Sequence, residues 1–209
     1  ACGVCTLKEK HRMNIQGLIV GLGNPGKEYS RTRHNFGFMA VEHLLEVFEK
    51  NGTVRVLSGK NDKYHLWRCA SAKTPGDWLV CTPLTFMNRS GEAVQRVASY
   101  YHVTAEQILA VHDELDLPLG RMKLKKGGGN AGHNGLRSIQ QLMGTADFYR
   151  LRLGIGKPMT AGTGHVLGRF AEAELPLVNE TLDAAIKGIF MFMKMGERDA
   201  QQFVNSFSG

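Results

Sequence analysis

Short apolar runs bounded by glycines and polar turns alternate along this chain with stretches of helical period, and that interleaving limits the fold more than any other feature. Leu18-Ile19-Val20 reads as a short buried strand. Phe36, Ala40, Leu44, Val47 and Phe48 recur at helical spacing until Asn51-Gly52 supplies a stop. Tyr64 to Ala70 and Trp78 to Thr82 read as strands joined through a Pro75-Gly76 turn. Ala93, Val94, Val97, Ala98 and Tyr101 mark a second helix, and Thr104 to Gln107 fits a capping box. Ile108 to Val111 is a buried strand ending in His112-Asp113-Glu114, and Arg121 to Lys125 alternates like an edge strand. The glycine loop GGGNAGHNG leads into a helix from Leu136 to Met143, then a strand from Tyr149 to Ile155. From Ala171 onward the chain reads as helical, with one long amphipathic helix from Pro176 to Met195. Such a sequence makes an α/β fold with a mostly buried mixed sheet.

At 209 residues the chain suits one domain. Residues 1–12 read as a flexible extension or a cloning remnant, with Met13 as the start and 13–209 as the domain. Cys2-Gly3-Val4-Cys5 has metal-ligand spacing, but no second pair follows to complete a zinc site. Four cysteines are too few for a disulfide scaffold of this size, which points to a reducing compartment. No apolar run approaches the roughly 18 residues that span a bilayer. The start lacks the apolar core of a secretory signal, so the expected location is the cytoplasm. A net charge of +7 favours an anionic partner.

Gly21, Gly23 and Gly26 have the spacing of a dinucleotide fingerprint, which needs two further features. The glycine turn must feed directly into a helix, yet Pro25 and KEYSRTR intervene before Phe36. An acidic residue must end a second strand, yet Glu46 and Glu49 fall within the helical period. A nicotinamide or flavin enzyme is therefore disfavoured, and the glycines are read as a tight turn that presents Asn24. No nucleophile elbow, zinc-protease helix or phosphate loop is present in the sequence either.

What remains is polar. Asn24, His34-Asn35, Asn88, His112-Asp113-Glu114 and His133-Asn134 end or follow strands, and strand ends in an α/β sheet gather at one crevice. An imidazole oriented by a carboxylate takes a proton from water near neutral pH. His34 with Asp113 suits that role; equally, His34 suits a cap for the helix beginning near Phe36, and spacing leaves both readings open. Arg121, Lys123 and Lys125 share one face of their strand, with Lys126, Arg137, Arg150 and Arg152 nearby in the chain. They suit a phosphate backbone or, equally, a solvated edge strand. His165 has no visible partner in the sequence.

Four segments in order, VGLGNPGKEYSRTRHNFG, PLTFMNRSGEAV, VHDELDLPLGRMKLKKGGGNAGHNGLRSI and YRLRLGIGKP, resemble the bacterial-type peptidyl-tRNA hydrolases. The resemblance runs from about Ile15 to nearly the end of the chain. It implies a single domain with a mixed twisted β-sheet flanked by helices, usually monomeric. It also implies hydrolysis of the ester between a peptide and the 3′-terminal ribose of tRNA, recycling the tRNA without metal or cofactor. On this sequence His34 resembles the general base, Asp113 the acid that keeps it basic, and Asn24 the residue that distinguishes blocked from free aminoacyl groups. Tyr29, Phe86, Asn88 and Asn134 match positions contacting tRNA or peptide, Met87 lines the groove, and His133 matches a polar residue beside a gate. Lys123, Lys125 and Arg152 match positions for tRNA phosphates. Asn130 departs from the family's glycine stretch, and the segment after Pro158 is a candidate lid. The competing reading is a silent relative that grips tRNA without cleaving it.

Overall fold

The computed structural model describes residues 14–60, 62–157 and 164–209. The expectations for residues 1–12, Met13, the Cys2–Cys5 pair and the start of the lid at Pro158 lie outside the described residues.

Seven strands form one sheet: β1 (Ile15–Gly21), β2 (Thr53–Val56), β3 (Tyr64–Ala70), β4 (Asp77–Pro83), β5 (Ile108–Glu114), β6 (Met122–Lys126) and β7 (Tyr149–Gly154). Their order is β2-β3-β4-β1-β5-β7-β6. The central four, β4-β1-β5-β7, are parallel, and antiparallel wings close both sides. The helices are α1 (Phe36–Asn51), α2 (Ser90–Tyr101), α3 (Asn134–Met143), a short α4 (Gly164–Leu167), α5 (Leu175–Met195) and α6 (Glu197–Ser206). No helix among the described residues is long and apolar enough to cross a membrane.

Strand alternation sorts the core into two layers. Ile19, Val80, Leu109 and Val111 pack under α1, α5 and α6, against Phe36, Leu44, Ile189 and Val204. Leu18, Val20, Cys81, Ile108 and Ala110 face the other way, against Val94 and Val97 of α2 and Leu136 and Ile139 of α3. Both faces are covered, as a parallel sheet requires. Cys69 and Cys81 are free, buried thiols.

β4 and β5 flank β1 on opposite sides, so the chain changes direction at β1, where α/β sheets open a crevice beyond the carboxyl ends of the strands. One close approach fixes that crevice. A Cβ on Gly37 would lie 2.2 Å from the Val111 carbonyl oxygen and 2.6 Å from the Leu22 backbone nitrogen. Only glycine lets α1 start directly over β1 and β5.

Two expectations change. β5 does not stop at Val111 but runs through His112-Asp113-Glu114, all buried, because β7 continues alongside to Gly154. The edge strand β2 alternates polar and apolar over four residues only, with Val54 alone half-buried, too short a run to read as a strand from the sequence.

Candidate active site

A cleft of about 440 Å³ opens at the carboxyl ends of β1 and β5. Asn24, His34, Phe86, Met87, Asn88, Asp113, His133 and Asn134 all line it, so eight of the residues singled out in the sequence meet there. Tyr29, Lys123, Lys125 and Arg152 are not among its lining residues. Leu115, Val166 and Leu167 add apolar wall that the sequence did not flag, since isolated apolar residues after strands and in short helices carry no pattern.

Asp113 is the hub. His34 Nδ1 lies 3.0 and 3.1 Å from its two carboxylate oxygens, and His133 Nε2 lies 3.1 Å from one of them. Burial alone would push the Asp113 carboxyl upward, but the charge and hydrogen bonds of His133 and His34 outweigh it and hold Asp113 well below the usual carboxylate range. An ionised carboxylate only accepts, so both imidazoles donate. His34 thus keeps its Nε2 lone pair for the cleft. The alternative of a capping histidine at α1 is not what forms: Asn35 occupies that position and no side chain caps it.

His133 is the histidine that caps. Its Nδ1 accepts from the Leu136 N–H at 3.3 Å at the start of α3, which fixes Nε2 as the protonated nitrogen. His112 is buried and donates from Nδ1 to the Asp113 backbone carbonyl at 2.6 Å, with its ring edge against His133 at 4.9 Å. Burial first, then the charge of His133, pushes the His112 imidazole down to about 3, so it stays neutral.

Asn24 is oriented as tightly. Its backbone N–H donates to Asn35 Oδ1, its carbonyl accepts from Asn35 Nδ2, and its own Oδ1 accepts from the Met87 N–H at 2.8 Å. With Oδ1 committed, Nδ2 presents its two donors to the cleft. Asn35, unassigned in the sequence beyond its neighbour His34, is what holds this loop.

The basic residues divide. Lys123 is exposed and Lys125 half-buried on the outer face of β6, opposite Arg152 and Arg150 of β7. Arg152 Nε is tied to Glu114 at 2.8 Å. Arg150 is fully buried and donates to the Gly129 carbonyl, so it braces the glycine loop from beneath and is removed from the solvated charge. Asn130 in that loop donates to Gln140 at 2.7 Å. His165 does have a partner, the Ile155 carbonyl at 3.1 Å.

The peptidyl-tRNA hydrolase family profile matches residues 18–208. The chain belongs to the peptidyl-tRNA hydrolase family. A peptidyl-tRNA hydrolase of Nitratidesulfovibrio vulgaris is 56% identical over 199 residues, spanning 93% of this chain and 99% of the relative. One from Oleidesulfovibrio alaskensis is 54% identical over 198 residues, spanning 93% and 98%. The crystal structure of peptidyl-tRNA hydrolase from Acinetobacter baumannii matches the fold with a TM-score of 0.83 at 37% identity, covering 92% of this chain and 95% of that one. In this peptidyl-tRNA hydrolase family member, His34, Asp113 and His133 each offer a ligand atom within 4.8 Å of the others, a donor set that suits zinc. A metal there would have to displace both protons now shared with Asp113.

Proposed function

We propose that this chain hydrolyses the ester linking a peptide, or an N-blocked aminoacyl group, to the 3′-terminal ribose of tRNA, with His34 as general base. The observation that carries the reading is the pairing of His34 Nδ1 with a buried, ionised Asp113 beside an open cleft. Water held at His34 Nε2 attacks the ester carbonyl carbon while its proton passes to Nε2. Asp113 stabilises the imidazolium that forms and keeps the ring aimed. The tetrahedral intermediate collapses with loss of the ribose 3′-oxygen, which takes the proton from Nε2. An ester already has a good leaving group, so one oriented water suffices without a covalent nucleophile or a metal.

Asn24 Nδ2 is placed to donate to the substrate carbonyl or the growing oxyanion. Asn88 and Asn134 offer hydrogen bonds to peptide backbone, which carry no side-chain preference, and Phe86, Met87 and Leu167 supply apolar contact. Lys123 and Lys125, with Arg152 beside them, are assigned to tRNA phosphates, and Tyr29 to the tRNA end. This reading has the protein acting as a monomer in the cytoplasm, where tRNA is used.

The test is release of a labelled N-acetyl-aminoacyl group from tRNA, beside the same tRNA with a free aminoacyl group. Selective cleavage of the blocked ester, unchanged by chelator and lost in His34→Ala with tRNA binding intact, is the expected result. Binding without cleavage by the unmutated protein overturns the reading.

A further inference from the structure

Arg33, adjacent to the proposed base, is not part of the cleft lining. Its guanidinium donates to both oxygens of Glu174, at 3.0 and 2.7 Å, across 141 residues of chain. The same guanidinium lies 4.7 Å above the Phe170 ring, and the Arg33 side chain is only 12% exposed. Phe170 in turn packs on Phe36, the first residue of α1, at 5.1 Å.

The backbone is joined at the same place. The Arg33 N–H donates to the Gly168 carbonyl at 2.8 Å, and Thr32 forms an antiparallel bridge with Arg169. Glu174 also accepts from the Ala171 N–H at 2.7 Å, closing the turn before α5. Residues 168–174 are therefore fastened to the turn of His34 by backbone, ring and ion pair. Val166 and Leu167, immediately before that fastening, line the cleft.

One further detail argues for a role beyond holding the fold. The second terminal nitrogen of Arg33 is buried without a partner. An unpaired buried donor is costly, and an apolar residue on Phe170 would avoid that cost. Both bonds to Glu174 leave from Nη2, while the flat face of the same guanidinium stacks on Phe170, a combination that the compact ammonium of lysine does not offer.

We propose that Arg33 and Glu174 are positioning residues, which make the Val166–Leu167 wall and the His34 turn one rigid unit so that the base keeps its aim when the peptide loads the wall. This rests on the hydrolytic reading of His34. Lysine at position 33 would keep the charge but lose the planar stacking on Phe170, and glutamine at 174 would keep the shape but lose the charge.

Arg33→Lys and Glu174→Gln, each compared with the unmutated protein, separate this role from a merely structural one. Both are expected to fold with near-unchanged thermal midpoints, keep KM within about twofold, and lose kcat by about 10- to 100-fold, the scale of a misplaced catalytic group. The His34 ring 15N resonances should change from one fixed tautomer to a mixture. If one variant fails to fold, the other decides. Unchanged kcat and unchanged His34 resonances overturn the proposal, as does a loss that follows thermal stability alone. Should the unmutated protein cleave nothing, the hydrolytic reading fails, while the His34 resonances still report whether the pair positions the ring.

Discussion

Three histidines meet at Asp113, His34 and His133 at its carboxylate and His112 at its backbone carbonyl, and each has its proton fixed by a hydrogen bond. His133 cannot change tautomer without losing the α3 cap, so its Nε2 must donate to Asp113. In Asp113→Asn the amide offers one acceptor and one donor to two imidazoles. His133 claims the acceptor, and His34 is driven to accept at Nδ1, which places its proton at Nε2 and removes the base. We expect kcat to fall by on the order of 10²–10⁴-fold, the contribution of general base catalysis, with tRNA affinity retained. Single-turnover hydrolysis beside filter binding checks this; activity within a few-fold of the unmutated protein would mean Asp113 is not the orienting group. His112 reports on stability instead. Its affinity for a proton is lowered in the folded state from 6.5 to about 3, so below 6.5 the unfolded chain binds a proton the folded chain refuses. Stability is full above 6.5 and declines toward pH 3, by up to about 1.4 kcal/mol per pH unit. His112→Phe should flatten that slope while costing about 1 kcal/mol at neutral pH for the lost hydrogen bond. Urea midpoints between pH 4 and 8 measure both, and an unchanged slope would remove His112 from the acid response.

At the scale of elements, β5 shows why the sequence was readable only in part. Its apolar half, Ile108 to Val111, announces a buried strand, whereas His112-Asp113-Glu114 reads only as a polar strand end at a crevice, with no pattern that shows its burial. It is buried because both carboxylates have long-range partners, His34 and His133 for Asp113 and Arg152 for Glu114, while His112 donates to the adjacent Asp113 carbonyl. Local pattern identified the capping box at Thr104 and, as Arg121 to Lys125, the edge strand that runs Met122–Lys126, where short-range chemistry decides. It left open whether His34 capped a helix or met Asp113, and it gave no sign that Arg150, read only as a nearby basic residue, would be buried. Those outcomes depend on parallel register between strands distant in sequence. The juncture of α1 with β1 and β5 is the least tolerant of these. Gly37→Ala would drive a Cβ into the Val111 carbonyl and lift α1, moving the adjacent His34 with it. We expect a loss of at least about 1–3 kcal/mol from overpacking, together with a fall in kcat in the protein that remains folded. Denaturation and activity on one preparation test it, and an alanine variant of normal stability would show that α1 has room to shift.

For the molecule as a whole, the surplus positive charge matters only where it is free to meet phosphate. On the β6–β7 wing Arg150 is buried, Arg152 shares its charge with Glu114, and Lys126 pairs with Glu106 at 2.8 Å. Among the described residues of this wing Lys123 and Lys125 are left, and Lys125 is held below the usual lysine range by burial and then by Arg152 and Arg150. A phosphate approaching this wing relieves like-charge repulsion as well as gaining contact. Each lysine that neutralises a phosphate releases roughly one condensed counterion, so the plot of log affinity against log salt should lose about one unit of slope per lysine removed. Lys123→Ala and Lys125→Ala should each do so, with kcat at saturating tRNA unchanged because neither lines the cleft. Arg152→Ala should change the slope by less than one, since Glu114 already offsets its charge, and should strand that buried carboxylate. Titrations of tRNA at several salt concentrations give all three slopes. Equal slopes in the two lysine variants and the unmutated protein would move the phosphate track off this wing, while a full unit for Arg152 would mean that tRNA displaces Glu114 from its partner.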